Sequence, residues 1–218
     1  VELFDDLLIS ALNRHTASRN KGRIYAEKDH LFFKFQGPTP ASLRETAEIV
    51  ENIVEKYGGK NFSLARDSEE ADDMWNERKN VGFAALAMVP GAKGFPTDVC
   101  VPVSKLPQLV YETKKDLKET GLIAPIVGHV GDGNFHAILL LRDDEEVKKG
   151  KEAVRRMVKR AIALEGTCTG EHGVGVGKKA YLVEELGEGT VELMRNIKRA
   201  IDPLNLFNPG KVREGKFL

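Results

Sequence analysis

Three of the five histidines in this 218-residue sequence stand in two glycine-dense segments that also hold an acid. Gly128–His136 reads G-H-V-G-D-G-N-F-H, and Cys168–Lys179 reads C-T-G-E-H-G-V-G-V-G-K-K. A tight bend after His129 lets its ring converge with that of His136, and the second segment adds the adjacent pair Glu171 and His172. Two imidazoles with one carboxylate make a borderline-hard divalent site that keeps open positions for a substrate. The remaining imidazole beside such a Lewis acid suits a catalytic base. Taken singly, each histidine is more often a core or surface residue. Their crowding among glycines, which are costly unless backbone must approach something closely, favours a metal or catalytic site.

A third segment runs W-N-E-R-K (Trp75–Lys79) and then P-G-A-K-G-F-P-T-D-V-C-V-P (Pro90–Pro102). Arg78 falls on a helix and Lys93 in a glycine loop. By themselves they read as solvated cations, but a guanidinium brought to the histidines would suit a substrate carboxylate. Gly173, Gly175 and Gly177 lack the G-x-G-x-x-G spacing of a dinucleotide loop, and Lys178-Lys179 does not complete a phosphate-binding P-loop.

The elements that position these residues follow from apolar period. Helices are expected over Val1–His15, from Thr39 as N-cap with Leu43, Ala47, Val50, Val54 and Tyr57 on one face, and over Asp67–Val89. Further helices are expected from Ser104 to Gly121, over Asp143–Glu165, and over Lys178–Ile201 with a break near Gly187–Gly189. Strands are expected over His30–Gln36, Phe62–Ala65, Thr97–Val103, Ile123–Val130 and Asn134–Leu141, with a loop over Thr16–Arg23. The last two strands are joined by a bend too short for a crossover helix. That favours an α+β sandwich with a mostly antiparallel sheet and helices on one side.

Composition bounds the function classes. Thirty-three Lys+Arg balance 33 Asp+Glu, which argues against wholesale attraction to nucleic acid or an anionic membrane. No apolar run approaches the ~18 residues of a membrane span. Two cysteines, Cys100 and Cys168, make no disulfide framework. The opening Val1-Glu2-Leu3-Phe4 has no initiator Met or targeting signal, so a piece of a longer protein is expected.

G-H-V-G-D-G-N-F-H, G-T-C-T-G-E-H-G-V-G-V-G-K and the closing D-P-L-N-L-F-N-P-G-K-V resemble the C-terminal half of FAD-linked 2-hydroxy-acid dehydrogenases. These belong to the vanillyl-alcohol-oxidase/p-cresol-methylhydroxylase flavoprotein group. G-A-K-G-F-P-T-D-V-C-V-P and the Asp143–Leu164 helix are similar to the cytochrome-type D-lactate dehydrogenase branch in particular. The resemblance runs from Phe4 to Val212. It implies a ferredoxin-like cap (1–165) followed by the Glu-His motif, helices and a flavin-side tail (166–218), with the FAD held mainly by an N-terminal domain absent here.

The same resemblance implies roles. His129, His136 and Glu171 match divalent-metal ligands (Zn, Mn or Fe), His172 the catalytic base, Arg78 and Lys93 substrate-binding cations, and Asn208 a flavin contact. Alternating side chains on an extended segment would point Glu171 and His172 apart, leaving His172 off the metal. The implied reaction oxidises a D-2-hydroxy acid to its 2-oxo acid and passes electrons to a cytochrome, a quinone or an electron-transfer flavoprotein, with a homodimer as a further expectation. Where the D-2-hydroxyglutarate branch has an amide and a hydroxyl, this sequence has Ile138 and Gly82, which favours a monocarboxylate. Two rival readings are a metal-dependent hydrolase and a non-catalytic ferredoxin-like binding module.

Overall fold

A computed structural model describes residues 1–16 and 23–211. At its centre lie β1 (Glu2–Phe4), β2 (His30–Phe32), β3 (Lys93–Pro96), β4 (Val99–Cys100), β5 (Ile126–His129) and β6 (Asn134–Leu141). The strands are ordered β2-β1-β5-β6-β3, with β4 also on β6, and all their pairings are antiparallel. The helices are α1 (Asp6–Thr16), α2 (Pro40–Lys56), α3 (Ser68–Ala87), α4 (Leu106–Thr120), α5 (Asp144–Ala163) and α6 (Leu182–Ile201). This is the expected α+β sandwich.

Helices cover both faces of the sheet rather than one. Strand alternation sends Phe135, Ala137, Leu139 and Leu141 of β6 into a core with Leu109 and Leu117 of α4 and Met157 and Val158 of α5. Phe4 and Val127 face the other way and pack with Leu8 and Leu12 of α1 and Val81, Ala84 and Ala85 of α3. An apolar stripe on each face needs its own cover, so one helical layer does not suffice. His136 and Ile138 point to this second face.

Local physics explains where the elements differ from the sequence reading. Asp5 accepts a hydrogen bond from the Leu8 backbone N–H at 2.9 Å, so it caps α1 and leaves Glu2–Phe4 free to pair as a strand. β2 stops at Phe32 because its partner β1 offers only three residues. Phe62–Ala65 forms no strand, having no ladder partner. Thr39 caps α2 as expected, in a capping box with Ser42. Ser104 does not cap α4; it lies in a 3-10 turn, Val103–Lys105, that leads into it. Gly121 ends α4 in the left-handed region (φ 71°), and Gly187 (φ 79°) breaks α6. Most of the loop expected at Thr16–Arg23 lies outside the described residues.

Asp5 also ties α1 to the sheet, because its Oδ1 accepts from the Ile126 N–H at 3.0 Å. Burial pushes its carboxyl up to about 6, against the pull of those two backbone donors and Lys114. A carboxyl raised in the folded state stabilises the fold below the unfolded value and loses that contribution as pH rises through about 6. Asp5→Asn, which keeps the Oδ1 acceptor, is therefore expected to flatten the pH dependence of urea stability between pH 4 and 6. Asp5→Ala is expected to cost about 1–2 kcal/mol through the lost cap.

Candidate metal and substrate site

The β5–β6 hairpin sets two rings side by side. Its register pairs His129 with Asn134 and Val127 with His136, so His129 and His136 are diagonal neighbours on one face. Their ring centroids lie 5.4 Å apart. The hairpin bend needs glycine at Gly133 (φ 74°), where a Cβ would stand 2.0 Å from the Val101 carbonyl oxygen.

A diverted ladder bond orients His136. β3 and β4 run along β6 in one continuous register, interrupted at Thr97 and Asp98. There the Ala137 N–H donates to the Thr97 hydroxyl (2.8 Å), and the freed Thr97 carbonyl accepts from His136 Nδ1 at 2.8 Å. His129 Nδ1 donates to the Glu2 carboxylate at 3.0 Å. Both acceptors lack a proton to give, so each Nδ1 carries the hydrogen and, in the neutral ring, each Nε2 keeps its lone pair.

The third group arrives on a loop held by Asp98. Thr167 pairs with Cys100 across backbone hydrogen bonds, which lays the chain beside β4. Asp98, 3% exposed, then gathers the following residues. Its Oδ2 accepts from Thr169 Oγ1 (2.8 Å) and the backbone N–H groups of Gly170 (2.9 Å) and His172 (3.1 Å). Its Oδ1 accepts from the Glu171 N–H (3.2 Å) and Asn134 Nδ2 (2.8 Å), and Lys178 Nζ lies 3.3 Å from Oδ2. Burial pushes this carboxyl up, but the His172 N–H, Thr169, Asn134 and Lys178 hold it well below the usual carboxylate range. Gly170 is required here, since a Cβ would fall 1.8 Å from Asn134 Nδ2.

The result is a convergent donor set. Glu171 Oε1 lies 3.3 Å from His129 Nε2 and 3.1 Å from His136 Nε2. One ligand atom from each of the three falls within 4.8 Å of the others. In neutral rings the two Nε2 atoms and the carboxylate oxygen are all acceptors, and a single divalent ion would satisfy all three. The residues present therefore fit such an ion. Each histidine's Nδ1 bond is the outer-shell support that metal-bound imidazoles use.

His172 stands on the same side as Glu171, with Nε2 3.7 Å from Glu171 Oε1 and its ring 5.3 Å from that of His136. The backbone wraps Asp98 instead of running extended, so these side chains do not point opposite ways. His172 nevertheless lies outside the convergent triad and is 63% exposed, open to a ligand.

Arg78 does come to the histidines. Its Nη2 donates to Glu2 Oε1 at 2.9 Å, the carboxylate that also receives His129, and its buried Nε–H has no partner. Lys93 does not: on β3 rather than a loop, it pairs opposite Leu141, exposed, five residues and about 16 Å along β6 from His136. Asn208 also stands apart. It accepts from Lys211 Nζ at 2.9 Å and lines a groove of about 500 Å³ with Met194, Ile197, Ile201 and Phe207. The sequence reading missed Glu2, Thr97 and Asp98. The available signal was Asp98 itself, an acid set in an apolar strand run and so bound to be buried with partners.

The sequence matches the family of FAD linked oxidases, C-terminal domain, over residues 1–212. It is 44% identical over 98% of its length to a probable mitochondrial D-lactate dehydrogenase of Danio rerio, and 43% identical over 97% to D-lactate dehydrogenase [cytochrome] 1, mitochondrial, of Saccharomyces cerevisiae. It spans only 42% and 36% of those two proteins. A solved structure of 4-ethylphenol oxidase from Gulosibacter chungangensis has the same fold, with a TM-score of 0.66 at 15% identity over 97% of this chain and 46% of that one. With the match covering nearly the whole sequence, this chain belongs to the FAD linked oxidases as their C-terminal domain.

Proposed function

We propose that this chain is the substrate- and metal-binding part of a flavoenzyme that oxidises D-lactate, or a similarly short D-2-hydroxy acid, to the 2-oxo acid. The observation that carries the reading is the pair of Nε2 atoms, fixed by Thr97 and Glu2, aimed with Glu171 at one point. The D-lactate dehydrogenases among its relatives support the substrate class. A cytochrome, printed in the yeast relative's name, is the acceptor this reading favours.

The chain's own residues divide the work. His129, His136 and Glu171 would hold the cation, the ligand set of an open catalytic site. A divalent ion held there would supply Lewis acidity toward the substrate hydroxyl, and a flavin would supply the redox chemistry. His172 Nε2 takes the hydroxyl proton. Arg78 binds the substrate carboxylate through the donors that Glu2 leaves free, which fixes the face presented. Gly173, Gly175 and Gly177 follow the Asp98-bound bend rather than the strand that a dinucleotide loop follows. The exposed Ile197, Ile201, Leu206 and Phe207 suit a face that docks on the flavin-binding part.

Substrate size follows from two positions. Ile138 shares the face of His136 two residues on, and Gly82 lies one turn beyond Arg78 with open space beside it. A second carboxylate against Ile138 would lose hydrogen bonds worth about 1–3 kcal/mol.

A substrate panel on the complete protein, with an artificial electron acceptor, tests this reading. D-lactate is expected to show a specificity constant roughly ten- to a hundredfold above that of D-2-hydroxyglutarate, and turnover is expected to fall on chelation and return with metal. A higher constant for the dicarboxylate would contradict the substrate assignment. His172→Ala is expected to cut turnover by about 10²–10⁴ while bound metal stays near stoichiometric. Loss of metal along with activity would make His172 a ligand instead.

A further inference from the structure

Glu2 is buried on β1 and is not one of the three convergent donors. Its carboxylate joins two groups that come from distant parts of the chain: His129 Nδ1 at 3.0 and 3.2 Å, and Arg78 Nη2 at 2.9 Å. The β1–β5 register sets Glu2 directly opposite His129, so sheet pairing fixes the first contact. Arg78 arrives from α3, one turn beyond Trp75, whose ring its guanidinium overlies at 5.8 Å. A buried carboxylate is costly unless paired, and here one cation and one imidazole N–H satisfy it.

We propose that Glu2 is a positioning residue shared by the metal and substrate halves of the site. Its carboxylate accepts from His129 Nδ1, which orients the ring and leaves Nε2 pointing to the triad. It also accepts from Arg78 Nη2 at 2.9 Å, which holds the guanidinium beside His129. One carboxylate thereby sets the orientation of a ligand and of the carboxylate-binding arginine together. The inference rests on the metal reading above.

The experiment measures zinc and manganese affinity of the complete protein, without turnover, by competition with a chromophoric chelator, for the parent sequence, Glu2→Gln and Glu2→Ala. Glu2→Ala is expected to weaken binding about 10- to 100-fold. Glu2→Gln keeps an acceptor for Nδ1 but loses the charge, and is expected to fall between the two. A merely structural role would lower thermal stability without ordering metal affinity by acceptor strength. Affinity of Glu2→Ala within twofold of the parent overturns the inference. Should that variant not fold, parent-like affinity of Glu2→Gln overturns it equally. A parent protein that binds neither metal removes the underlying metal reading, which separates the two failures.

Discussion

The site depends on a single buried carboxylate, that of Asp98. It receives five hydrogen bonds from Asn134, Thr169, Gly170, Glu171 and His172, and Lys178 supplies a compensating positive charge. Burying a charge in an apolar sheet is unfavourable, and this number of donors offsets it. The bonds also fix three successive backbone N–H groups around one anion. Glu171 and His172 therefore lie on a bend whose shape is set before any ligand arrives. Without Asp98 the segment would be a glycine-rich loop with little to hold it.

The two histidines are secured by a different means. They stand on a hairpin inside a sheet that is covered on both faces, so their Cα positions are set by ladder pairing and by two cores. Their ring orientations come from acceptors at Nδ1, one a carbonyl released from the ladder at Thr97 and one the Glu2 carboxylate. A rigid sheet thus presents two of the convergent donors, and an Asp98-bound loop presents the third. Side chains held this way need little reorganisation to meet a ligand. The side chains of Glu171 and His172 are half or more exposed.

Much of this was legible in the sequence. The crowding of His129, His136, Glu171 and His172 among glycines pointed to the site, and the short bend between two apolar strands pointed to an antiparallel hairpin. The cap at Thr39 and the break near Gly187 were visible as local signals. The supporting residues were not. Glu2 sits where the apolar period of Leu3, Phe4, Leu7 and Leu8 fits a helix as well as a strand followed by a cap, and only the pairing with β5 decides between them. Thr97 and Asp98 act through contacts 36 to 80 residues away along the chain; an acid in an apolar run signals burial, but no local pattern names its partners. Lys93 shows the reverse failure: chemically suitable, it is carried to the far end of β6 by strand register.

The central claim is that His129, His136 and Glu171 bind one ion. Anomalous diffraction at the metal edge, from crystals of the complete protein after metal reconstitution, tests it most directly. The account predicts one peak about 2.0–2.2 Å from His129 Nε2, His136 Nε2 and a Glu171 carboxylate oxygen. No peak there, or a peak held by other side chains while these three remain in contact only with one another, would contradict it.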